Sequence, residues 1–480
     1  MRDTLNKAAA LSAKGDIKAA AQLFRQVLDK DPENASAFWG LGRIAMSVGK
    51  FRDAISLFEK AISFLPSHPF PLIDIARAHE ALREFDVAGK YLRRAATVAP
   101  DNASVQYTLG THLSEAGAFS EAEERFRASI DIEPANAFAF YELSKLKTFP
   151  SQEDSDFKTI KKFLVRPNLT LSDEIAAHYA LGKAYDDIGD QDGAFESFSK
   201  ANAIQHAQVT FSVDDMKPYF EDVKQVFDAA FFENCTQMSP PPVTPIFIVG
   251  MPRTGSSLLE VMLGRHSEIS AAGELPFLGR DVVGALSRET QKPFPQACAG
   301  IHVEDCQKLA QIYFENVESI ASGARFVIDK LPANFQSIGL IKKIMPGAKI
   351  INLRRDPMDA GFSIFKNFFN ENEPYFCDLG EIGKYYKLYD DLMVHWRREL
   401  PGVILDIDYE SLVADPKIVV GSALKFCGLE WQDACLNSKG QSDHVRTLSA
   451  RQVRESVSTK NIGSWRAYEK HLEPLRHALS

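Results

Sequence analysis

Four residue classes return every 34 positions. Prolines stand at 32, 66, 100 and 134. Twelve residues before each is Ala20, Ala54, Ala88 or Ala122; eight before is Phe24, Phe58, Leu92 or Phe126; twenty-four before is Ala8, Gly42, Ala76 or Gly110. A period of this length means that each unit is a supersecondary element unable to bury its apolar face alone, so several units must stack. The order reads as two antiparallel helices per unit. The small residue of the first helix (Gly42, Gly110) lets the second approach at Ala54 or Ala122, and the aromatic fills the groove to the next unit. The proline begins the next turn, since it lacks an N–H and ends the helix before it.

The period and the small–small–aromatic–proline order resemble tetratricopeptide repeats. After Ala137 the rhythm falters, through a loop at 148–154 and a Lys-rich helix near Lys158–Leu164. It returns with Gly182, Tyr185, Gly189, Ala194, Phe198 and Ala201, predicting a last repeat that closes near Gln205. Solenoids of this kind use concave surfaces for binding, so a peptide in the groove is one candidate partner. The plainer alternative is an array that supports the second half of the chain or a homodimer.

The 480 residues carry 55 Lys and Arg against 64 Asp and Glu, a net charge of −9. That balance excludes a general nucleic-acid binder, which wants an excess of cations, but leaves room for a local anion site. Six cysteines lie between positions 235 and 435 without C-x-x-C spacing and read as reduced, buried thiols. No apolar run approaches the ~20 residues of a membrane span, and no signal peptide is visible, so a cytoplasmic protein without a transmembrane segment is expected. A helix-like stretch, Val213 to Phe232, leads to Met238–Pro245, where four of eight residues are proline. The expected domains are therefore a repeat array over 1–206, a helix and Pro-rich linker over 207–243, and a second domain over 244–480.

That domain opens on Ile246-Phe247-Ile248-Val249, a short, wholly apolar run suited to a central parallel strand. Gly250-Met251-Pro252-Arg253-Thr254-Gly255-Ser256-Ser257 follows, and then the helical pattern Leu258–Leu263. Strand, glycine loop and helix form an anion cradle of backbone N–H groups. The loop is nearly the phosphate motif G-x-x-x-x-G-K-[ST], with Gly250, Gly255 and Ser257 in register but Ser256 at the lysine position. Loss of that lysine disfavours a kinase or ATPase, while Arg253 offers a cation placed elsewhere. A second apolar run, Ile350–Leu353, leads into Arg354-Arg355-Asp356-Pro357 with Ser363 eight residues after Arg355. Arg355 is suited to grip a phosphate bidentately.

These two signatures resemble sulfotransferases that use 3′-phosphoadenosine 5′-phosphosulfate (PAPS), specifically the tyrosylprotein sulfotransferase branch and its bacterial relatives. The likeness runs over about 244–466, through Gly273-Glu274, Asp329-Lys330-Leu331-Pro332, Asp408-Tyr409-Glu410, Ser449-x-x-Gln452-Val453 and Trp465. Ser464 stands where the family has a lysine, and Lys460 is taken as its substitute. The resemblance implies an α + α/β chain: an N-terminal repeat solenoid, then a P-loop-like parallel-sheet sulfotransferase domain. It implies Glu274 as base, with Lys330, Arg253 and Ser449 as catalytic groups. It implies PAPS binding by Arg253, Thr254, Gly255, Ser256, Ser257, Arg355, Ser363, Tyr409, Gln452, Val453 and Lys460, without a metal. His266 is the competing base, and Arg354 is expected to face solvent or a surface acid. The acceptor expected is a tyrosine hydroxyl of a peptide or protein. A carbohydrate or lipid hydroxyl is the alternative, and a non-catalytic repeat scaffold with a PAPS-binding domain is a second.

Overall fold

The computed structural model of the protein describes residues 1–233, 241–321, 323–369, 374–437, 451, 454 and 457–480. Ser449, Gln452 and Val453 lie outside them. The chain forms two units, residues 1–146 and 147–480.

In the first unit the 34-residue period becomes helix pairs, among them Ala35–Ser47 with Phe51–Phe64 and Ala103–Glu115 with Phe119–Ile132. The turns before the first helices of these pairs end in asparagine. Asn34 Oδ1 accepts the N–H of Ala37 at 3.0 Å, and Asn102 Oδ1 accepts that of Val105 at 3.1 Å, satisfying donors that a helix start leaves open. Helix Pro69–Ala81 has no side-chain cap and begins on Pro69, whose missing N–H removes one such donor. The aromatics behave differently from the reading above. The ring of Phe126 lies on Gly110 of its own pair, so that a Cβ at 110 would stand 2.7 Å from the ring, and Phe58 covers Gly42 likewise. Glycine leaves a hollow one ring deep where two helices cross, and the nearest aromatic fills it. Phe24 does reach forward, against Gly40.

The second unit begins with helices Ser155–Leu164, Leu171–Asp187 and Gln191–His206. The last two repeat the same device, Phe198 on Gly182. Beyond them is a sheet of five parallel strands: β1 (Thr244–Gly250), β2 (Ile269–Ala271), β3 (Phe326–Asp329), β4 (Lys349–Arg354) and β5 (Ile404–Asp408), ordered β2-β3-β1-β4-β5. β1 is buried along almost its whole length because it pairs with β3 on one side and β4 on the other. Ile246, Ile248, Ile328, Ile351 and Leu353 pack one face against helices Ser256–Gly264 and Pro416–Cys427. On the other face Phe247 meets Tyr313 of helix Val303–Ala321, with ring centroids 5.8 Å apart. Among the described residues no helix is long and apolar enough to cross a membrane.

The strand order sets the site. The chain leaves β1 towards β2 and leaves β4 towards β5, in opposite directions, so the carboxyl ends of β1 and β4 flank a topological switch point. Gly250 and Leu353 are register partners there.

Candidate active site

Each of the five strands ends beside a residue singled out in the sequence. Arg253 follows β1, Glu274 follows β2, Lys330 follows β3, Arg355 follows β4 and Tyr409 follows β5. Parallel strands put all five at one edge of the sheet.

The loop after β1 turns sharply. Arg253 adopts φ +65°, a left-handed backbone that non-glycine residues seldom take, and Gly255 adopts φ +93° as the cap of helix Ser256–Gly264. Thr254 is buried and its Oγ1 donates to the Met251 carbonyl at 2.8 Å, which ties the loop to itself. Ser256 and Ser257, both buried, form the first turn of the helix, whose N-terminus carries the partial positive charge of aligned peptide dipoles. Tyr409 lies against Gly255, leaving no room for a side chain there.

Arg355 crosses from β4 to this loop. Its Nη1 donates to the Arg253 carbonyl at 3.0 Å and its Nη2 to the Asn461 carbonyl at 2.7 Å, while its guanidinium lies 4.7 Å from the Tyr409 ring centroid. Its Nε is buried with no hydrogen-bond partner among the described residues. A buried donor of this kind fits an anion, because leaving it unpaired is costly. Arg253 Nε donates to Ser363 Oγ at 3.2 Å, so Arg253, Arg355 and Ser363 share one corner. Asp356 caps helix Pro357–Phe365, which carries Ser363, by accepting the Asp359 N–H at 3.0 Å. Arg354 faces solvent beside Asp408, 3.7 Å away.

Glu274 and Lys330 form an ion pair between Oε1 and Nζ. The lysine side chain is 1% exposed and the glutamate 41%, so the pair spans from the interior to the open edge. A buried ammonium needs such a partner. Two backbone bonds hold the turn bearing Glu274: Gly273 N–H donates to Glu260 Oε1 at 2.6 Å, and Lys330 N–H donates to the Gly273 carbonyl at 2.9 Å. Behind Lys330, Asp329 is fully buried; it accepts the Tyr313 hydroxyl at 3.0 Å, and burial pushes its pKa up to about 8. His266 is committed to packing: Nε2 meets the Glu430 carbonyl at 3.1 Å and Nδ1 accepts the Glu268 N–H at 3.2 Å.

Near the end of the chain, Asp359 accepts the N–H of Gly463 at 2.6 Å and both Ser464 Oγ and the Trp465 N–H at 3.1 Å. Ser464 is thus occupied at the position where the family has lysine. Lys460 is exposed, in the short helix Thr459–Asn461 whose last carbonyl meets Arg355. Glu260 and Asp359 were not singled out by sequence reading, and Asp329 entered it only as the neighbour of Lys330. A signal existed for Glu260, the one charge inside Leu258-Leu259-Glu260-Val261-Met262-Leu263.

Residues 245–433 match the sulfotransferase family, and residues 5–69, 73–137 and 175–205 match the tetratricopeptide repeat. An uncharacterized protein of Aquifex aeolicus (strain VF5) is 30% identical over 397 residues, 81% of this chain and 52% of that protein. Protein-tyrosine sulfotransferase 1 of Danio rerio is 24% identical over 240 residues, 46% of this chain and 65% of that protein. The sulfotransferase domain from the Synechococcus PCC 7002 olefin synthase, a solved structure, is 23% identical, with 49% of this chain and 91% of that one covered at a TM-score of 0.35. The chain thus spans between half and two thirds of the length of these two curated relatives. Its strand–loop–helix turn, the corner shared by Arg253, Arg355 and Ser363, and the five strands but for the first residue of β1 fall inside the matched span, and the chain is one of tetratricopeptide repeats joined to a domain of the sulfotransferase family.

Proposed function

We propose that the protein transfers the sulfuryl group of PAPS to an acceptor hydroxyl, and that the acceptor is a tyrosine of a peptide or protein. The observation that carries the reading is the meeting of Arg253, Arg355, Ser363 and the Glu274–Lys330 pair at one sheet edge, beside a loop with Ser256 at the usual lysine position. When bound, PAPS supplies a sulfuryl group on a phosphate leaving group, and the acceptor oxygen replaces the bridging oxygen on sulfur.

Glu274, at the open end of its ion pair, takes the acceptor proton. Lys330 keeps a fixed ammonium beside it, aimed where charge develops on the departing oxygen, and Arg253 with the helix N-terminus does the same from the other side. Arg355 and Ser363 hold the 3′-phosphate. The peptide acceptor is supported by the relatives named protein-tyrosine sulfotransferase and by the repeats, which suit peptide binding.

Calorimetry with adenosine 3′,5′-bisphosphate tests the donor site. Binding much tighter than that of ATP is expected, and equal affinity for the two overturns the donor assignment. Labelled PAPS offered to peptide, sugar and lipid pools tests the acceptor. Label confined to sugars or lipids removes the tyrosine.

A further inference from the structure

We propose that Asn202, on a helix of the repeat pattern, is a positioning residue for the phosphate corner: its side-chain amide caps the helix that carries Ser363. The inference rests on the reading of Arg355 and Ser363 as phosphate ligands.

Helix Pro357–Phe365 is nine residues long, and the last carbonyls of any helix lack partners within it. Here Phe362 O accepts the Lys366 N–H at 3.0 Å, Ser363 O accepts Asn367 Nδ2 at 2.7 Å, and Ile364 O accepts the Asn367 N–H at 3.1 Å. Those donors lie within four residues of the carbonyls they serve. The fourth carbonyl, Phe365 O, accepts Asn202 Nδ2 at 2.8 Å, from 163 residues earlier in the chain.

The amide is itself held rigidly. Asn202 is 1% exposed; its Nδ2 also donates to the Phe198 carbonyl at 2.9 Å, and its Oδ1 accepts the Tyr179 hydroxyl at 2.8 Å. Rings close the same contact: Phe195 stacks on Phe365 at 5.7 Å and Tyr179 on Phe368 at 5.5 Å. Removing the amide would take from the buried Phe365 carbonyl the donor that caps it, so the helix end must shift to find another partner. Ser363 lies two residues before the capped carbonyl, with its Oγ on Arg253, so it shifts with that end. A repeat helix therefore sets the geometry of the donor site without touching it.

The test is calorimetry of the full-length protein with adenosine 3′,5′-bisphosphate at a temperature where every variant is folded. Asn202→Ala is expected to weaken binding about ten-fold, the scale of a displaced hydrogen bond to a charged group. Leu309→Ala, a buried change on helix Val303–Ala321, serves as control. It should lower Tm with unchanged affinity, since lost stability alone does not alter binding by folded molecules. Should Asn202→Ala not fold, Asn202→Asp, which keeps the acceptor for Tyr179 and loses both donors, carries the same expectation. In the wild-type chain, the ligand should slow amide exchange in both Pro357–Phe365 and Gln191–His206. If the wild type fails to bind, the phosphate-site reading falls. If it binds and Asn202→Ala matches it within two-fold, or if exchange slows in Pro357–Phe365 alone, the positioning role of Asn202 falls and the site reading stands.

Discussion

Among the described residues of 1–146, the buried polar side chains are His79, Gln106, His112, Ser129 and Ser144, with no acid, lysine or arginine. In the sulfotransferase-family part, the interior holds Glu260, Asp329, Lys330, Lys343, Arg355 and Asp359. Both regions bury ample apolar surface, so the difference does not come from the needs of folding. Charges in the repeats stay near the surface in pairs such as Arg52–Glu84, which contribute little. Ionisable groups in the sheet domain are withdrawn from water, at a cost that must be met by hydrogen bonds, and three of these six, Asp329, Lys330 and Arg355, stand where the strands end. The repeat interior answers to packing alone; the other interior also holds ionisable groups, a pattern that marks candidate functional sites.

The sharpest way to break that contrast is at Glu274. Glu274→Gln keeps shape and removes the basic lone pair, so turnover should fall roughly 10²–10⁴-fold. Binding of adenosine 3′,5′-bisphosphate should stay within a few-fold, and His266→Ala should keep near-normal turnover because both ring nitrogens serve backbone groups. Substantial turnover by Glu274→Gln with a dead His266→Ala would exchange the two roles.

A smaller effect is expected in the repeats. Gly110→Ala drives a methyl into the Phe126 ring and should destabilise the repeat unit by about 1–3 kcal/mol, read from its thermal transition. Adding Phe126→Leu should recover much of that, since Ala76 and Leu92 hold these two positions one repeat earlier. Both variants should bind the bisphosphate as the wild type does; weaker binding would show that packing in residues 1–146 governs the site.

A pH-dependent effect concerns Asp329, whose folded-state pKa is raised to about 8. Between about pH 4 and pH 8 the folded chain binds a proton that the unfolded chain has released, so this group makes stability fall as pH rises through that window. Asp329→Asn should flatten that decline in Tm measured from pH 4 to 8. An unchanged slope would mean that the buried acid is ionised and paired.

The repeats were legible because their signal is local and fourfold, and the loop after β1 because strand, glycine turn and helix are contiguous. Arg355 and Ser363 were singled out through the resemblance to sulfotransferases, and the structure brings both beside Arg253. The ring of Phe126 was misplaced by sequence reasoning because a period gives spacing but not which neighbour a ring leans on. Asn202 left no trace, since a polar residue on a helix looks like any solvated one and its partner carbonyl lies 163 residues away. Asp359 was hidden in the same manner, its donors standing more than a hundred residues later. Such long-range polar bonds have no period for a sequence to display.

The Arg355–Asn461 contact also has a temporal side. Arg355 is synthesised 106 residues before the carbonyl that receives its Nη2. At about 5–20 residues per second, the arginine leaves the ribosome's catalytic centre roughly 5–20 s ahead of its partner. The repeat helices, which need only their neighbours, have time to form first. The corner around Arg355 closes only when the segment pinned by Asp359 arrives, so a nascent chain, or one truncated before Asn461, lacks the carbonyl that holds the Arg355 guanidinium.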